Sequence, residues 1–363
     1  MKKLTKLFTI LLTAVVLLSA CQLFLGPDPD DSPMGIFDTL WNDFDRTYAL
    51  FEHKNINWKG IYNEYSPLIK QNMSKAELSS VCKAMLSRLM DDHVWINTPH
   101  DFIVDPRWPL TEYGINDEFD FNIISDYHVD FISIEQYDGL SYGTFKSNPK
   151  IGYLRIPTFM GTVGMFMETG DWAKKIDSVL RSLRDTDGLV LDIRNNNGGF
   201  PSNLEYIANR FASKKANYMS VSTKTGPGRN DFSTPLYRVI SPAGTRYNKP
   251  VVLLTNGYTI SCAEMFTLAL RTQAHVTHVG THTQGALSVR IIRPLINGWD
   301  YSVSVQRALD MDGNSWERKS LTEAGIPPEQ VIPAGVIRDW ENSIFADEQL
   351  DGALQVLLGK IIP

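Results

Sequence analysis

Cysteine is scarce in this sequence of 363 residues, which contains only three. Cys21 lies near the N-terminus, and the other two, Cys82 and Cys262, make a single pair. One pair is too few for the disulfide framework of small secreted domains. Because Cys82 and Cys262 lie in segments with helical periodicity, we expect both to be free thiols buried in the core.

A cluster of basic residues is also missing, and the formal net charge is −6. An acidic chain without a basic patch argues against nucleic acid as a partner. The sequence has no repeat of fixed period and no low-complexity block. Its length suits one large domain with a smaller one.

Residues 1–20 have the layout of a secretory signal peptide: three lysines, an apolar run and then small residues. The apolar run is too short and too asymmetric for a spanning helix. The letters "LSAC", which end at Cys21, resemble a bacterial lipobox, and this resemblance implies cleavage before Cys21 and lipid on its sulfur. The alternative is an ordinary signal peptide that happens to contain a cysteine. Removing the segment, which has no acidic residue, changes the formal charge from −6 to −9.

The segment after the cleavage site, residues 21–34, is rich in proline and aspartate and has little to bury. We predict that it is a flexible tether behind the lipidated Cys21. More than one acyl chain gives a stable membrane anchor. The expected location is therefore the bacterial cell envelope, as an exported lipoprotein of the outer membrane on its periplasmic or surface face.

Residues 35–97 show apolar side chains at steps of three and four, which predicts a small helical bundle. Its third helix begins at Ser74 with an S-x-x-E capping box completed by Glu77. Residues 98–150 are mixed and predict short strands and loops, in a stretch too short for a separate module of ordinary size.

From residue 151 to residue 363, short continuous apolar runs alternate with amphipathic helical patterns. The predicted strands are "IGYLRIP", "GLVLDIR", "PVVLLTN" and "HVTHVGT", and the predicted helices include "DWAKKIDSVLRSLRD", "SNLEYIANRFAS" and "DEQLDGALQVLLGKI". Alternation of this kind favours a largely parallel α/β layer. Ser202 and Glu205 form another S-x-x-E pattern, which predicts a capped helix start after Pro201.

Two strand-to-helix junctions carry residues suited to chemistry. The first, "DIRNNNGGFPSN", places Gly198 and Gly199 after a buried strand, where glycines let the backbone approach a ligand closely. The second places Ser261 after "LLTNGYTI", at the positive end of a helix. In open α/β sheets, sites gather at the carboxyl ends of strands. Each junction has an alternative interpretation. The first could be a tight loop without a ligand. At the second, Ser261 could only cap the following helix, in an S-x-x-E pattern with Glu264.

The motifs resemble those of one protein family. "DIRNNNGGF" resembles the D-x-R-x-N-x-G-G segment of the tail-specific (C-terminal processing) proteases, peptidase family S41, which include the tricorn core protease. "TNGYTISCAEMF" is similar to the family's nucleophile segment, and "VGTHTQGALS", "LTEAGIPPEQVI" and "LMDDHVWI" are similar to three further elements. The matches come in family order over roughly residues 35–345. They imply an α/β fold with a ClpP/crotonase-like core of repeated strand-strand-helix units behind an N-terminal helical bundle.

The resemblance also implies the roles of individual residues around the nucleophile. It makes Ser261 the nucleophile, and it places the oxyanion hole at Gly198 or Gly199 together with the N–H of Cys262. One branch of the family uses a serine–lysine dyad, but Ala286 stands where that lysine would fall.

The histidine-using, tricorn-like branch supplies the base instead. Here His93 matches the general base, and Glu323 matches the acid that orients it. Asp92 stands where the tricorn arrangement has a second serine, so it is a weak candidate for a fourth member. Acid, imidazole and serine would come from three distant segments, as in serine hydrolases of unrelated folds.

Three histidines in "HVTHVGTH", His275, His278 and His282, suggest a metal site at first sight. Residues three apart on a strand face opposite sides, so His275 and His278 would not converge. We predict no metal site and no organic cofactor.

The expected function is that of a lipid-anchored serine endopeptidase, which hydrolyses peptide or protein substrates through an acyl-enzyme on Ser261 with His93 as general base. No PDZ module is evident in residues 98–150, and no oligomeric state is predicted. The first alternative is a non-catalytic cell-surface peptide- or ligand-binding protein on the same fold. The second is an acyl-group enzyme of the crotonase kind, which would need an acyl-CoA supply that an exported protein lacks.

Overall fold

The computed structural model describes residues 30–98, 119–135, 139–161, 169–320, 323–339, 341–342 and 344–361. The predicted signal peptide, Cys21 and most of the predicted tether lie outside these ranges. Within them, no helix combines the length and the apolar character needed to cross a bilayer.

Helices and strands are numbered in chain order. The helices are α1 (Pro33–Thr47), α2 (Phe51–Lys54), α3 (Trp58–Tyr65), α4 (Lys75–Ser87), α5 (Asp171–Lys174), α6 (Ile176–Ser182), α7 (Pro201–Ala208), α8 (Cys262–Arg271) and α9 (Glu348–Ile361), with short helical turns at Ser66–Leu68 and Phe121–His128. The strands are β1 (Trp95–Asn97), β2 (Val129–Ser133), β3 (Ser141–Phe145), β4 (Asn148–Arg155), β5 (Gly188–Asp192), β6 (Ala216–Thr223), β7 (Leu236–Ile240), β8 (Val251–Thr255), β9 (Val276–Gly280), β10 (Arg290–Pro294), β11 (Asp300–Ser304), β12 (Gln306–Asp310), β13 (Gln330–Val331), β14 (Val336–Asp339) and β15 (Ile344–Asp347).

The helices α1 to α4 form the bundle that the periodicity predicts. The capping box at the start of α4 is present: the Glu77 N–H donates to Ser74 Oγ at 3.2 Å, and the Glu77 carboxylate accepts from the Ser74 N–H at 2.7 Å. The aromatic stripes are core, since Trp41 and Trp58 stack with ring centroids 6.2 Å apart. Cys82 is a free, buried thiol in α4, as predicted.

In the described residues, the central sheet has seven strands in the order β13–β9–β8–β5–β4–β3–β2. The strands from β13 to β4 pair in parallel, and β3 and β2 add an antiparallel edge. The four predicted strands are β4, β5, β8 and β9. The predicted α/β class, with a largely parallel layer and helices in front, is therefore confirmed.

Side chains of β5 alternate between two hydrophobic layers, as the period of a strand requires. Leu189 and Leu191 lie in the same cluster as the α8 residue Phe266. Val190, between them, lies in a second cluster with Leu357 of α9. Both faces of the sheet are covered, which explains why its strands are continuous apolar runs.

The predicted capping box at Ser202 is wrong. Helix α7 begins at Pro201 with Phe200 as its N-cap, so Ser202 already lies in the first turn. Proline favours the first helical position because its missing N–H costs nothing there. Glu205 instead pairs with Arg238 at 2.6 Å.

Smaller antiparallel sheets, β12–β6–β7, β1–β11–β10 and β14–β15, were not predicted from the sequence. One of them joins the helical bundle to the rest of the chain. The aromatic ring of Tyr301 in β11 lies 5.8 Å from that of Phe44 in α1, and Ile96 of β1 pairs with Tyr301. Trp299 and Val303 belong to the same core as the helices. The bundle therefore shares its core with β10 and β11, while the predicted domain boundaries stay a prediction.

Candidate active site

The two junctions singled out in the sequence meet at the carboxyl end of the parallel strands of the central sheet. Strands β5 and β8 are parallel neighbours, so their carboxyl ends lie side by side. The loops that follow them are bonded to each other: the Ile260 N–H donates to the Asn196 carbonyl at 3.0 Å. The Asn195 N–H also donates to Asn256 Oδ1 at 2.9 Å, and Asn256 Nδ2 donates back to Asn195 Oδ1 at 2.7 Å.

Ser261 sits in a strained turn between β8 and α8. Its backbone has φ 61° and ψ −120°, a conformation that residues with a side chain rarely adopt. Strain of this kind persists where the surrounding structure holds it, and it clusters at active sites. A serine on a strained strand-to-helix turn is the arrangement that presents a nucleophile in α/β hydrolases. The side chain is partly exposed.

The cap of α8 relies chiefly on the backbone of Ser261. The Glu264 carboxylate accepts from the Ser261 N–H at 2.9 Å, while the Glu264 N–H donates to the Ser261 carbonyl at 2.9 Å. The Ser261 side chain lies within capping-box reach of the Glu264 N–H, but that N–H is aligned with the Ser261 carbonyl and makes no separate cap hydrogen bond to the hydroxyl. The S-x-x-E pattern is thus built mainly through the backbone of Ser261, and its hydroxyl can leave the capping position for other chemistry.

Glu264 also binds the segment 283–286, a contact that the sequence did not predict. Its carboxylate also accepts from Thr283 Oγ1 at 2.7 Å, from the Gly285 N–H at 2.7 Å and from the Ala286 N–H at 2.9 Å. Burial raises the pKa of Glu264 to about 7, against the effect of these donors. The side chain ties the Ser261 turn to the segment 283–286.

Gly198 and Gly199 are required by close contacts as well as by their backbone angles. Gly198 has φ 78°, and a Cβ there would lie 2.8 Å from Ser261 Cβ and 3.0 Å from the Cys262 nitrogen. Gly199 has φ 143°, and a Cβ there would lie 2.0 Å from the carbonyl carbon of Phe159. Both values of φ favour glycine.

The hydrogen bonds distinguish the two glycines as oxyanion donors. The Gly198 N–H is already used, because it donates to Asn196 Oδ1 at 2.9 Å. Among the described residues, neither the Gly199 N–H nor the Cys262 N–H donates a hydrogen bond. Two free amides beside a nucleophile are what an oxyanion hole needs, which favours Gly199 with Cys262.

The thiol of Cys262 has a structural contact next to these amides. Its Sγ donates to the Gly199 carbonyl at 3.0 Å. Burial raises the pKa of this thiol to about 12. Since the thiolate is the nucleophilic form, Cys262 does not compete with Ser261.

His93 lies in the loop between α4 and β1 and is buried. Its Nδ1 lies 2.6 Å from the Ser288 carbonyl oxygen. A carbonyl only accepts, so Nδ1 carries the proton and Nε2 is the basic nitrogen. The loop is fixed by Asp91 Oδ1, which accepts from the His93 N–H at 2.9 Å, and by Ser302 Oγ, which donates to the His93 carbonyl at 2.7 Å.

Burial lowers the pKa of His93, with Asp91 opposing this shift and Arg290 adding to it. The imidazole is therefore neutral at pH 7 and ready to accept a proton. No direct hydrogen bond joins His93 to Ser261 within the described residues. Such bonds are often long in the absence of substrate. His93 and Ser261 are connected through one segment of the chain. Glu264 binds both the Ser261 N–H and residues 283–286, and Ser288, two residues further on, accepts from His93.

Among the described residues, no hydrogen bond joins the side chain of Glu323 or of Asp92 to the His93 imidazole. Glu323 is exposed, and its hydrogen bonds run through its backbone to Ser320 and Lys319. The buried Asp92 accepts from Gln284 Nε2 at 2.6 Å, and burial raises its pKa to about 6. Their roles stay predictions from the resemblance.

The three clustered histidines have separate surroundings. His278 is fully buried with Nε2 2.8 Å from Thr255 Oγ1, and burial lowers its pKa to about 3. His282 Nδ1 lies 2.9 Å from the Thr283 carbonyl. In the parts of the chain that the structure describes, no group of three or more His, Cys, Asp or Glu side chains could hold a metal ion.

Similarity to known proteins agrees with this geometry. Residues 29–87 match the family model of the tricorn protease C1 domain. A crystal structure of a candidate peptidase from Parabacteroides merdae is 26% identical, covers 91% of this chain and 98% of its own, and has a TM-score of 0.76.

Curated relatives include two carboxy-terminal processing proteases of Bacillus subtilis. CtpB is 26% identical over 171 residues, and CtpA is 28% identical over 197 residues. The matches cover 47% and 53% of this chain, but the chain spans only 32% and 38% of those proteins. Residues 150–332, about half of the chain, match the family model described as peptidase family S41. The chain therefore belongs to peptidase family S41, as its motifs predict.

Proposed function

We propose that this protein is a serine endopeptidase that cleaves peptide or protein substrates through an acyl-enzyme on Ser261. One observation carries the proposal. Ser261 occupies a strained turn at φ 61°, the helix cap relies chiefly on its backbone, and the nearby N–H groups of Gly199 and Cys262 donate no hydrogen bond among the described residues. A binding protein has no need for this strain, which costs of order 1–3 kcal/mol.

In the proposed reaction, His93 is the general base. Its Nε2 takes the proton from Ser261 Oγ as that oxygen bonds to the carbonyl carbon of the scissile peptide. The negative charge on the carbonyl oxygen is stabilised by the Gly199 and Cys262 N–H groups. His93 then gives the proton to the leaving amine, and water hydrolyses the acyl-enzyme by the same route in reverse.

The Ser288 carbonyl supports this role of His93. It keeps a proton on Nδ1, so Nε2 carries the lone pair that accepts the proton of the Ser261 hydroxyl. It also accepts from the imidazolium that forms during the reaction, which a carbonyl oxygen stabilises. No metal or organic cofactor takes part in the proposed steps.

Digestion of unfolded β-casein tests the activity. Wild-type protein and Ser261→Ala would be incubated with casein, and the new termini identified by mass spectrometry. We expect internal cleavages with the wild type and none with Ser261→Ala. Absence of cleavage by folded wild type, with binding of casein retained, would favour the non-catalytic binding function instead.

We also propose that the protein is anchored to a membrane of the bacterial cell envelope through lipid on Cys21. The support is the lipobox-like "LSAC" and the tether-like composition of residues 21–34. Growth with labelled palmitate tests this: wild type would carry label, and Cys21→Ser would not. An unlabelled wild-type protein would contradict the anchor without affecting the peptidase proposal.

A further inference from the structure

Glu317 is a buried carboxyl group to which sequence motifs give no role. It lies between β12 and β13, and its exposed fraction is 3%. A buried carboxyl is costly unless hydrogen bonds compensate it. Its partners therefore indicate what it is for.

The partners of Glu317 are backbone groups beside the active site. Its Oε1 accepts from the Leu287 N–H at 3.1 Å, and the backbone of the next residue, Ser288, lies beside its carboxyl group. Burial, with Asp91 nearby, raises the pKa of Glu317. The side chain thus holds the peptide group of Leu287, directly before Ser288.

Ser288 is the residue whose carbonyl accepts from His93 Nδ1 at 2.6 Å. The N–H of the residue before it, Leu287, is held by Glu317, and the Ser288 hydroxyl donates to the Gln306 carbonyl at 2.7 Å. The direction of a carbonyl follows from the planes of the neighbouring peptides. Glu317 therefore helps to set the direction in which the Ser288 oxygen meets the imidazole.

Glu317 is itself held by the helical bundle. His53 Nε2 lies 3.0 Å from the Glu317 carbonyl, and Lys54 Nζ donates to the carbonyl of Arg318. Lys54 also donates to the Met90 carbonyl at 3.0 Å, near the start of the loop that carries His93. One buried group of residues thus joins α2, the His93 loop and the 287–288 segment.

We propose that Glu317 is a positioning residue for His93. It fixes the Leu287–Ser288 backbone, so the Ser288 carbonyl keeps the proton on Nδ1 and leaves Nε2 free. This inference rests on the proposed peptidase function. It differs from the family resemblance, which gives the orienting role to Glu323.

The test compares Glu317→Gln with Asp312→Asn, an exposed acid of the same loop. A glutamine has the shape of glutamate, but its amide has one accepting oxygen where the carboxyl group has two, so its hold on the Leu287 N–H is weaker. Turnover of a fluorogenic β-casein peptide would be measured across pH. We expect kcat to fall roughly 10- to 100-fold, part of what a general base contributes. We expect KM to stay within about threefold, because the change acts on proton transfer.

The pH profile separates positioning from loss of structure. The Ser288 hydrogen bond raises the pKa of His93. Weakening it in Glu317→Gln should therefore move the acid midpoint of kcat to lower pH, while Asp312→Asn keeps the wild-type midpoint. Equal kcat and equal midpoints in Glu317→Gln and Asp312→Asn would overturn the inference.

A spectroscopic measurement covers the case in which Glu317→Gln loses activity by losing stability. Imidazole ¹⁵N shifts of labelled histidine, assigned with His93→Ala, report the His93 tautomer directly. We expect only the Nδ1–H form in the wild type and a mixture in folded Glu317→Gln. An unchanged tautomer would overturn the inference. An inactive wild type would instead count against the proposed function, and the tautomer result would still stand by itself.

Discussion

The two halves of the candidate site are built in different ways. The Ser261 half comes from two neighbouring strand-loop-helix units of one sheet, whose loops are bonded directly to each other. The His93 half comes from the helical bundle and from a returning segment, and His53 and Glu317 are 264 residues apart in the chain. A site can therefore be half local motif and half tertiary network. The Ser261 half could be predicted from local motifs, whereas in the second half only His93 itself could be predicted, through the family resemblance.

The largest expected effect separates a chemical serine from a capping serine. Ser261→Ala should reduce casein cleavage by about a thousandfold or more. Its melting temperature should barely change, because the cap uses the Ser261 backbone and Glu264. Activity and thermal unfolding measured together check this.

Ser74→Ala is the matched control, since Ser74 Oγ does accept from the Glu77 N–H. It should lower the melting temperature by roughly 2 °C and leave activity unchanged. If Ser261→Ala behaved like Ser74→Ala, the distinction between the two serines would be lost.

The second-largest expected loss of activity follows from removing the proposed general base, His93. His93→Ala should lower kcat by roughly 10²- to 10⁴-fold. His275 precedes β9, at the amino end of the parallel strands and so at the end opposite to the candidate site. His275→Ala should therefore keep wild-type kcat. Equal losses in the two variants would contradict the assignment of the base to His93.

The pH dependence sharpens the same assignment. Only neutral His93 accepts a proton, and burial lowers its pKa below the ordinary value of 6.5. Activity should be complete above that lowered pKa and lost as the pH falls through it, with a midpoint below 6.5. A kcat profile measures this. A midpoint above the ordinary histidine value would indicate a different base.

The oxyanion half can be tested at Gly199. In Gly199→Ala the new Cβ would meet the Phe159 backbone, where the distance is 2.0 Å, so the loop must move. We expect a loss in kcat of roughly 10²-fold, comparable to losing one oxyanion donor. Gly359→Ala, a helical position with nothing within 4 Å, should leave kcat at the wild-type level. Full activity of Gly199→Ala would rule out this glycine as a donor.

The smallest expected effect concerns Glu323. Because its side chain is exposed and makes no hydrogen bond to His93 among the described residues, Glu323→Gln should change kcat by less than about twofold, as for a surface substitution. The family resemblance leads to the opposite expectation. A loss comparable to that of Glu317→Gln would restore Glu323 as the orienting acid.

The sequence predicted the Ser261 half of the site better than the His93 half. The strands β4, β5, β8 and β9 were predicted from continuous apolar runs, since burial on both faces of a sheet leaves an uninterrupted apolar segment. The positions of Gly198, Gly199 and Ser261 followed from their place after such strands. The small antiparallel sheets were missed, because some of their pairs, such as β1 with β11 and β6 with β12, join strands that are far apart in the chain.

Glu317 had no local signal at all. Its surroundings are backbone groups of residues 287–288 and side chains of α2, and no spacing rule relates these segments. The error at Ser202 has a local cause: a proline at the first helical position outcompetes a capping box one residue later.

The central claim is that Ser261 is activated by His93, and labelling with a fluorophosphonate tests it most directly. Wild type, Ser261→Ala and His93→Ala would be labelled side by side, with thermal unfolding as the check of fold and mass spectrometry to locate the adduct. We predict an adduct on Ser261 in the wild type, none in Ser261→Ala and strongly slowed labelling in His93→Ala. A folded wild type that does not label, or labelling that ignores His93, would contradict the claim.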